Sequence, residues 1–502
     1  MIVRTRYAPS PTGFQHIGGI RTALYCYLFA KKNNGTFILR IEDTDQGRLV
    51  PEAEQYIIDA LAWAGIQCDE GVHVGGPYAP YRQSDRKEIY KEYVQQLIDN
   101  DHAYYSFDTP EELDAMRASE HQTYSSATRL KMRNSLTMEP SELAESLLKL
   151  PYVVRIKIPA DQTIVVNDLI RGEVVVSTNE MDDKVLLKAD GMPTYHLANV
   201  VDDRLMKITH VIRGEEWLPS TPLHVFLYRC FGWEAEMPKF SHLSLLLKPE
   251  GNGKLSKRDG DKLGFPVFPL AWKTKEDSSN GYREMGFIPE AFINMLALLG
   301  WNSGTEQELF TMDELIASFS LERIIPSGAK FDFEKAKWFN QQYIKAMSDG
   351  ELVSAVKPFY DANLNGPIPS DDSLLALAPL LKERMVLLPD FWEQSTYFFK
   401  DPTHFDFEAV RKKWNMDIAE KFMGIASAFD QFPSYTEAEL DQALKAYLEV
   451  IGIKAGDVLL PLRIMLTGAK GGPNVLAIAA FIGREATVRR IKNAVEQFNA
   501  MA

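Results

Sequence analysis

"IVRTRYAPSPTGFQHIGGIRTALYCYLFAKKNNGTFILRIE", residues 2–42, is the stretch on which the reading of the fold turns. Residues 2–8, "IVRTRYA", read as a short strand, and "PSPTG" at 9–13 breaks it. From Ile17 to Asn33 the apolar residues Ile20, Ala23, Leu24, Tyr27 and Leu28 recur at helical spacing. Gly35 is expected to stop that helix, and "TFILRIE" at 36–42 is a second strand, β-branched and apolar. Strand, helix and strand in so short a span make a βαβ unit, the building block of a parallel sheet. Helices are expected next at 52–64, closed by Gly65, and at 85–100.

A matching block lies downstream. "ITHVIR" at 208–213 is a strand, 219–231 is a helix with Leu223, Phe226, Leu227, Cys230 and Phe231 on one face, and "FSHLSLLLK" at 240–248 is another strand. The two blocks are expected to be halves of one nucleotide-binding sheet, at 1–81 and 190–245. Residues 82–189 are an insert between them, and "YVVRIKIP", "QTIVVND" and "GEVVVS" inside it alternate as strands do. The insert is expected to be a small α+β module of its own. After about residue 285 the strands are expected to stop, with capping boxes at Thr311/Glu314 and Thr436/Glu439. Boundaries are set at 246–332 for a third part and 333–502 for an all-α end.

With 502 residues, 45% of them hydrophobic, the chain is long enough for several cores. Its most apolar run, "FINMLALLGW", falls short of the ~18 residues that span a bilayer. "MIVRTRYAPSPTG" lacks the apolar core of a signal peptide, so a cytoplasmic protein without membrane contact is expected. Cys26, Cys68 and Cys230 are far apart among apolar residues and are expected to be free, buried thiols. The net charge of −14 argues by itself against nucleic acid, yet a local basic surface suffices in a multidomain chain. Between 461 and 493, Arg463, Lys470, Arg484, Arg489, Arg490 and Lys492 face only Glu485. A solvated helix face is the plainer reading of that run alone.

Two segments carry phosphate chemistry. In "PSPTGFQHIGG", His16 and Gly18 stand where the first strand turns into the first helix, and a helix N-terminus offers free N–H groups and a positive dipole end. In "GKLSKRDG", Lys254 and Lys257 lie three apart in a glycine-bracketed loop able to close on a triphosphate. Each alone is commoner as structure than as a site. Neither a Gly-x-Gly-x-x-Gly run nor a phosphate-loop Lys-Ser/Thr is present.

Together they resemble the paired signatures of class I aminoacyl-tRNA synthetases. "YAPSPTG", "RIEDTD", "GPYAPYRQS", "DGMPTYHLANVVDD" and "VIRGEEWLPSTP" resemble segments of the glutamyl-tRNA synthetase family, in the family's order and along essentially the whole chain. Two positions depart from the class pattern: Gly19 replaces a second histidine, and Leu255 and Arg258 replace Met and Ser. The resemblance implies an α/β fold: a class I synthetase Rossmann-type catalytic domain with an inserted α+β acceptor-binding domain, followed by an all-α C-terminal anticodon-binding region. Residues 82–189 would hold the tRNA acceptor end, 246–332 the signature loop and stem contacts, and 333–502 the anticodon.

It further implies ATP and L-glutamate as substrates, Mg²⁺ as helper, tRNA(Glu) as partner and a monomer, with activation of glutamate requiring bound tRNA. Carried over by motif, the catalytic residues are His16, Gly18, Lys254, Ser256 and Lys257. Arg6, Ala8, Ser10, Glu42, Tyr195, Asn199 and Arg213 make the glutamate pocket. ATP would meet His16, Gly18, Gly19, Glu216, Trp217, Leu245, Lys254, Leu255 and Lys257, and the anticodon Arg384, Arg463 and Thr467. Where some relatives carry a Cys/His zinc knuckle this chain reads "AYYSFDTPEE", so no zinc is expected.

Residue chemistry agrees. Free glutamate has two carboxylates and one ammonium, and arginine forks pair carboxylates bidentately. Arg6 and Arg213 fall near the C-terminal ends of the two inner strands, where doubly wound sheets bind ligands. The nearest alternative is the glutaminyl enzyme, whose β-barrel anticodon module does not match this helical end. A short tRNA-modifying paralogue lacks the C-terminal region, and a catalytically dead tRNA-binding protein does not need His16, Lys254 and Lys257.

Overall fold

The computed structural model describes residues 2–120, 123–363 and 369–502. It divides into two compact units, one of residues 1–284 with 289–339, the other of 285–288 with 340–502.

The first unit is built on a sheet that opens with β1 (Arg4–Tyr7), helix α1 (Ile17–Lys32) and β2 (Thr36–Leu39), the βαβ unit expected from the sequence. Its other strands are β3 (Glu70–Gly71), β6 (Thr163–Asp168), β7 (Gly172–Ser177), β9 (His210–Gly214) and β10 (Lys239–Leu243). The order is β3-β2-β1-β9-β10-β6-β7, parallel except for the β6–β7 hairpin. β4 (Ala103–Ser106), β5 (Val153–Ile156) and β8 (Val185–Leu187) form a separate antiparallel sheet.

That hairpin is a correction. "QTIVVND" and "GEVVVS" were expected within the inserted module. Instead Asp168 pairs with Phe240, so they extend the main sheet beyond β10. Alternation identifies a strand but not the strand beside it. The "FSHLSLLLK" strand also divides: β10 stays in the sheet, while Leu246–Leu247 pairs with Ala329–Lys330, a short strand beyond residue 285.

The five apolar residues at helical spacing in α1 are only part of what is covered, since ten of its residues are buried. One side covers the sheet. On the other, Tyr25 Oη donates to the Ala297 carbonyl at 3.1 Å, against the helix Pro289–Leu298. The helix ends differently from the sequence reading. Asn34 takes the left-handed conformation (φ 49°), and Gly35 is instead the point where the chain presses on the Val3 carbonyl at the start of β1.

Three further helices position side chains in the cleft: α2 (Ala53–Trp63), α3 (Lys87–Asp99) and, after the insert, the helix Tyr195–Leu205. Gly65, with φ 71°, follows α2 as expected. The second unit is helical throughout its described residues, with Met416–Gln431, Glu437–Ile451 and Ala455–Thr467 packed around the C-terminal Val475–Met501. This last helix kinks at Gly483 (φ 81°). The Thr311/Glu314 box forms fully, but at Thr436 the hydroxyl is drawn to the Glu439 carboxylate, so it does not cap the N3 amide. No described helix is long and apolar enough to cross a membrane.

A methyl group at position 35 would collide with the Val3 carbonyl, which backbone movement alone can relieve. Gly35→Ala is therefore expected to cost about 1–3 kcal/mol, read as a lower urea midpoint of the first unit's fluorescence transition.

Candidate active site

The parallel strands end together, and their C-terminal ends carry a cluster of buried charge. Arg6 on β1 donates from Nε and Nη2 to Asp203 at 3.0 and 3.2 Å. Arg40, fully buried just past β2, donates from Nη1 to the same Asp203 at 2.7 Å and from Nη2 to Glu42 at 2.8 Å. Asn199 Nδ2 donates to the same Glu42 oxygen, Oε1, at 3.0 Å. Next to these, Asp202 accepts from Arg86, Gln83 and Tyr90 at 2.7–2.9 Å. Burial opposes the charge on Arg6, but Asp203 more than offsets it and its pKa is raised.

Arg213, near the end of β9, is the exception. It is buried, yet among the described residues its guanidinium touches no carboxylate. It donates to Tyr195 Oη (2.6 Å), Thr221 Oγ1 (2.9 Å), His242 Nε2 (3.0 Å) and the Trp217 carbonyl (3.3 Å). Burial depresses its pKa. Tyr195 Oη accepts from Arg213, so its own proton is available, and one Nη1 proton beside it is unused. Arg6 Nη1 and Glu42 Oε2 likewise make no hydrogen bond among the described residues. The cleft thus offers two places for a carboxylate and one for an ammonium. Ala8 is half-buried and Ser10 exposed on the chain leaving β1.

The side of the cleft around His16 is built differently. His16 is the N-cap of α1, and its Nδ1 accepts from the Gly18 amide at 3.2 Å. Nε2 therefore carries the proton, and it is buried without a partner. Burial, with Lys254 nearby, pushes His16 down to about 4. A methyl on Gly19 would strike the Tyr7–Gln15 hydrogen bond, which accounts for a glycine there.

Lys254 is exposed, 3.7 Å from Glu216. Lys257 is paired with Asp277 of the 273–284 loop and lies over the Trp272 ring at 4.7 Å, while Trp272 stacks on Phe14. Ser256 donates to Asp259 in a capping box that starts the helix Lys257–Leu263. Trp217 leans on Tyr195, with ring centroids 4.4 Å apart, and Leu255 is buried. Leu245 donates its amide to Glu215 at 3.0 Å. A cavity of about 700 Å³ lined by Arg155, Lys184, Tyr195 and His196 opens beside the β4-β5-β8 sheet.

In the second unit a cavity of about 720 Å³ is lined by Arg384, Tyr397 and Thr467. Arg384 is exposed and makes no hydrogen bond or ion pair among the described residues. Arg463 is tied to the Pro473 carbonyl, and the Thr467 hydroxyl to the Arg463 and Ala469 carbonyls. The basic run around them is largely internal: Arg489 and Arg490 both hold Asp401, and Arg484 holds two carbonyls. Sequence reasoning missed Asp203, Arg40, His242 and Asp168. Two adjacent acids inside the apolar "LANVVDDRL" helix were the available signal, since buried acids need partners.

Residues 2–338 match the family model for the class I (E and Q) tRNA synthetase catalytic domain, and residues 351–495 an anticodon-binding domain. The chain belongs to the glutamate–tRNA ligases. It is 52% identical over 500 residues to the glutamate–tRNA ligase of Porphyromonas gingivalis and 51% over 502 to that of Phocaeicola vulgatus, with 98% of both chains covered in each case. The crystal structure of a glutamate tRNA ligase from Elizabethkingia meningosepticum in complex with its amino acid superposes with a TM-score of 0.95 at 48% identity, covering 99% of this chain and all of that one. The two units are thus a class I catalytic domain on a parallel sheet and an all-helical anticodon-binding domain.

Burial holds His16, His196 and His210 near 4. Unfolded, they titrate near ~6.5, so as pH falls the unfolded chain takes up these protons first. Their contribution is whole above that pH and is lost on the way down to 4. The melting midpoint should fall across this window, and His210→Gln, at the start of β9 three residues before Arg213, should flatten the fall; an equal slope in both proteins would refute the assignment.

Proposed function

We propose that the protein activates L-glutamate with ATP to glutamyl-adenylate and transfers the glutamyl group to the 3′-terminal ribose of tRNA(Glu), releasing AMP and pyrophosphate. The observation that carries this reading is Arg213, a buried cation in the cleft with no carboxylate in contact among the described residues. An uncompensated buried charge is costly, and a carboxylate ligand removes the cost. Family membership supplies the rest.

In this reading the α-carboxylate lies against Arg213 Nη1 and the Tyr195 hydroxyl, the ammonium against Glu42 Oε2, and the side-chain carboxylate against Arg6 Nη1, with Ala8, Ser10 and Asn199 completing the wall. The α-carboxylate attacks the α-phosphorus in line, and pyrophosphate leaves. The His16 Nε2–H, the Gly18 and Gly19 amides, Lys254 and Lys257 meet the charge that develops on the phosphate oxygens. Glu216, Trp217, Leu245 and Leu255 border the adenosine. For Lys257 to reach the phosphates it must leave Asp277; Ser256 acts by starting the helix that carries it. Among the described residues no three His, Cys, Asp or Glu side chains converge on a metal position; Mg²⁺ would enter with ATP and supply neutralising charge at the phosphates.

The 2′-hydroxyl of the terminal ribose then attacks the anhydride carbonyl and AMP departs. The cavity beside Tyr195 and His196 suits that tRNA end, and of residues 82–189 those outside the β6–β7 hairpin, which belongs to the main sheet, would form the acceptor domain. Residues 246–332 contact the stem, and residues 333–502 read the anticodon with Arg384, Arg463 and Thr467. The enzyme works as a cytoplasmic monomer and needs no zinc. ATP–pyrophosphate exchange dependent on glutamate, with and without tRNA, tests the whole reading; exchange equally supported by glutamine would sink it.

Glutamine has nearly the same shape as glutamate, so charge must reject it. Removing Arg6 outright would also strip Asp203 of a partner. Arg6→Lys keeps that ion pair but loses the fork, and should narrow the glutamate-over-glutamine ratio of kcat/KM by about tenfold or more. Arg213→Lys should harm both amino acids alike. Opposite outcomes would interchange the two arginines.

Arg384→Ala should raise KM for tRNA by roughly 5- to 100-fold while kcat stays nearly constant, measured as aminoacylation against tRNA concentration. An unchanged KM removes Arg384 from the anticodon site.

A further inference from the structure

Three neighbouring strands deliver three polar residues to one buried line. The register sets Arg213 of β9 opposite His242 of β10, and Phe240 of β10 opposite Asp168 at the end of β6. His242 Nδ1 lies 2.6 Å from Asp168 Oδ2, and both side chains are wholly shielded from solvent. His242 Nε2 lies 3.0 Å from Arg213 Nε. A guanidinium nitrogen only donates, so Nε2 is the acceptor and the imidazole proton sits on Nδ1, facing Asp168. Asp168 has no freedom to turn: its Oδ1 accepts the Ile170 and Arg171 amides at 2.9 and 2.8 Å, and that of His242 at 3.3 Å. Thr221 Oγ1, 3.2 Å from His242 Nε2, completes the surroundings.

We propose that Asp168 and His242 are positioning residues for amino-acid binding: Asp168 fixes the tautomer of a neutral imidazole, and that imidazole holds the Arg213 guanidinium with its Nη1 edge open to the substrate carboxylate. The inference rests on Arg213 being a carboxylate ligand. Burial lowers the His242 pKa, and the histidine bond among other contacts keeps Asp168 low despite its own burial, in keeping with a neutral ring beside an ionised acid. Arg6 shows the alternative. Its acid, Asp203, touches it directly and consumes both Nε and Nη2. Placing an imidazole between Asp168 and Arg213 takes only Nε. The anion still offsets part of the cost of burying the cation, from one ring away, without competing for the place the substrate fills.

Asp168→Asn tests this. The Asn oxygen must stay with the Ile170 and Arg171 amides, so its NH₂ faces His242 Nδ1. The ring is then forced to carry its proton on Nε2, where it meets the Arg213 N–H head-on. Glutamate KM in tRNA-supported ATP–pyrophosphate exchange should rise roughly ten- to a hundredfold, with ATP KM unchanged. His242→Leu, which removes the acceptor, should give the same glutamate-selective rise. In the His242→Leu background no ring is left to relay a tautomer, so there Asp168→Asn should alter glutamate KM by less than about threefold. A merely structural role would move both KM values, and the effect of Asp168→Asn would persist in the His242→Leu background; either result overturns the proposal. So does a glutamate KM within about twofold of wild type in both Asp168→Asn and His242→Leu. Wild-type protein with no glutamate-dependent exchange would instead overturn the functional reading, and this proposal with it.

Discussion

The Arg40 guanidinium, with no exposed surface, is the fixed point of the cleft. It joins Glu42, two residues along its own strand segment, to Asp203 on the helix Tyr195–Leu205, and through Asp203 reaches Arg6 on β1. Two strands and a helix from opposite ends of the catalytic half-sequences are locked in register by one side chain. Replacing such a cluster by apolar residues is often neutral for stability, whereas removing one member leaves a buried charge alone. The cluster is therefore better understood as setting where Glu42 and Arg6 point than as a source of stability. Each is left with one polar edge turned to the cleft.

Much of this was legible in the sequence. Period and punctuation located β1, α1 and β2, and the first-helix N-terminus placed His16 where its Nδ1 caps and its Nε2 is left to donate. Arg6 and Arg213 could be put at strand ends by counting. What could not be read was partnership. The β6–β7 hairpin alternates as any strand pair does, and nothing local says that Asp168 will lie beside Phe240, so the second support of Arg213 stayed hidden. Likewise six basic residues at 461–493 are a charge run in sequence, but Asp401 and several carbonyls claim four of them. Local chemistry is visible in one dimension; which buried donor meets which acceptor is decided by the sheet order.

The two halves of the cleft treat cations in opposite ways, and the tasks proposed for them would explain it. An amino acid must be told from its amide, a difference of one charge in nearly the same volume. Only a fixed cation in a dry, low-dielectric place makes that difference large, since in water the same contact is screened. Arg6 and Arg213 are buried accordingly. Triphosphate needs no such discrimination, and its pyrophosphate must leave after reaction. Lys254 is 62% exposed, and Lys257 rests on a surface aspartate and the Trp272 face. Exposed pairs of that kind are worth about 0–1 kcal/mol, so exchanging Asp277 for a phosphate and returning to it costs little in either direction. On the proposed reading selectivity would rest on rigid arginines and turnover on loosely held lysines, and the tautomer of His242 would matter because a buried arginine, unlike a surface lysine, cannot search for its partner.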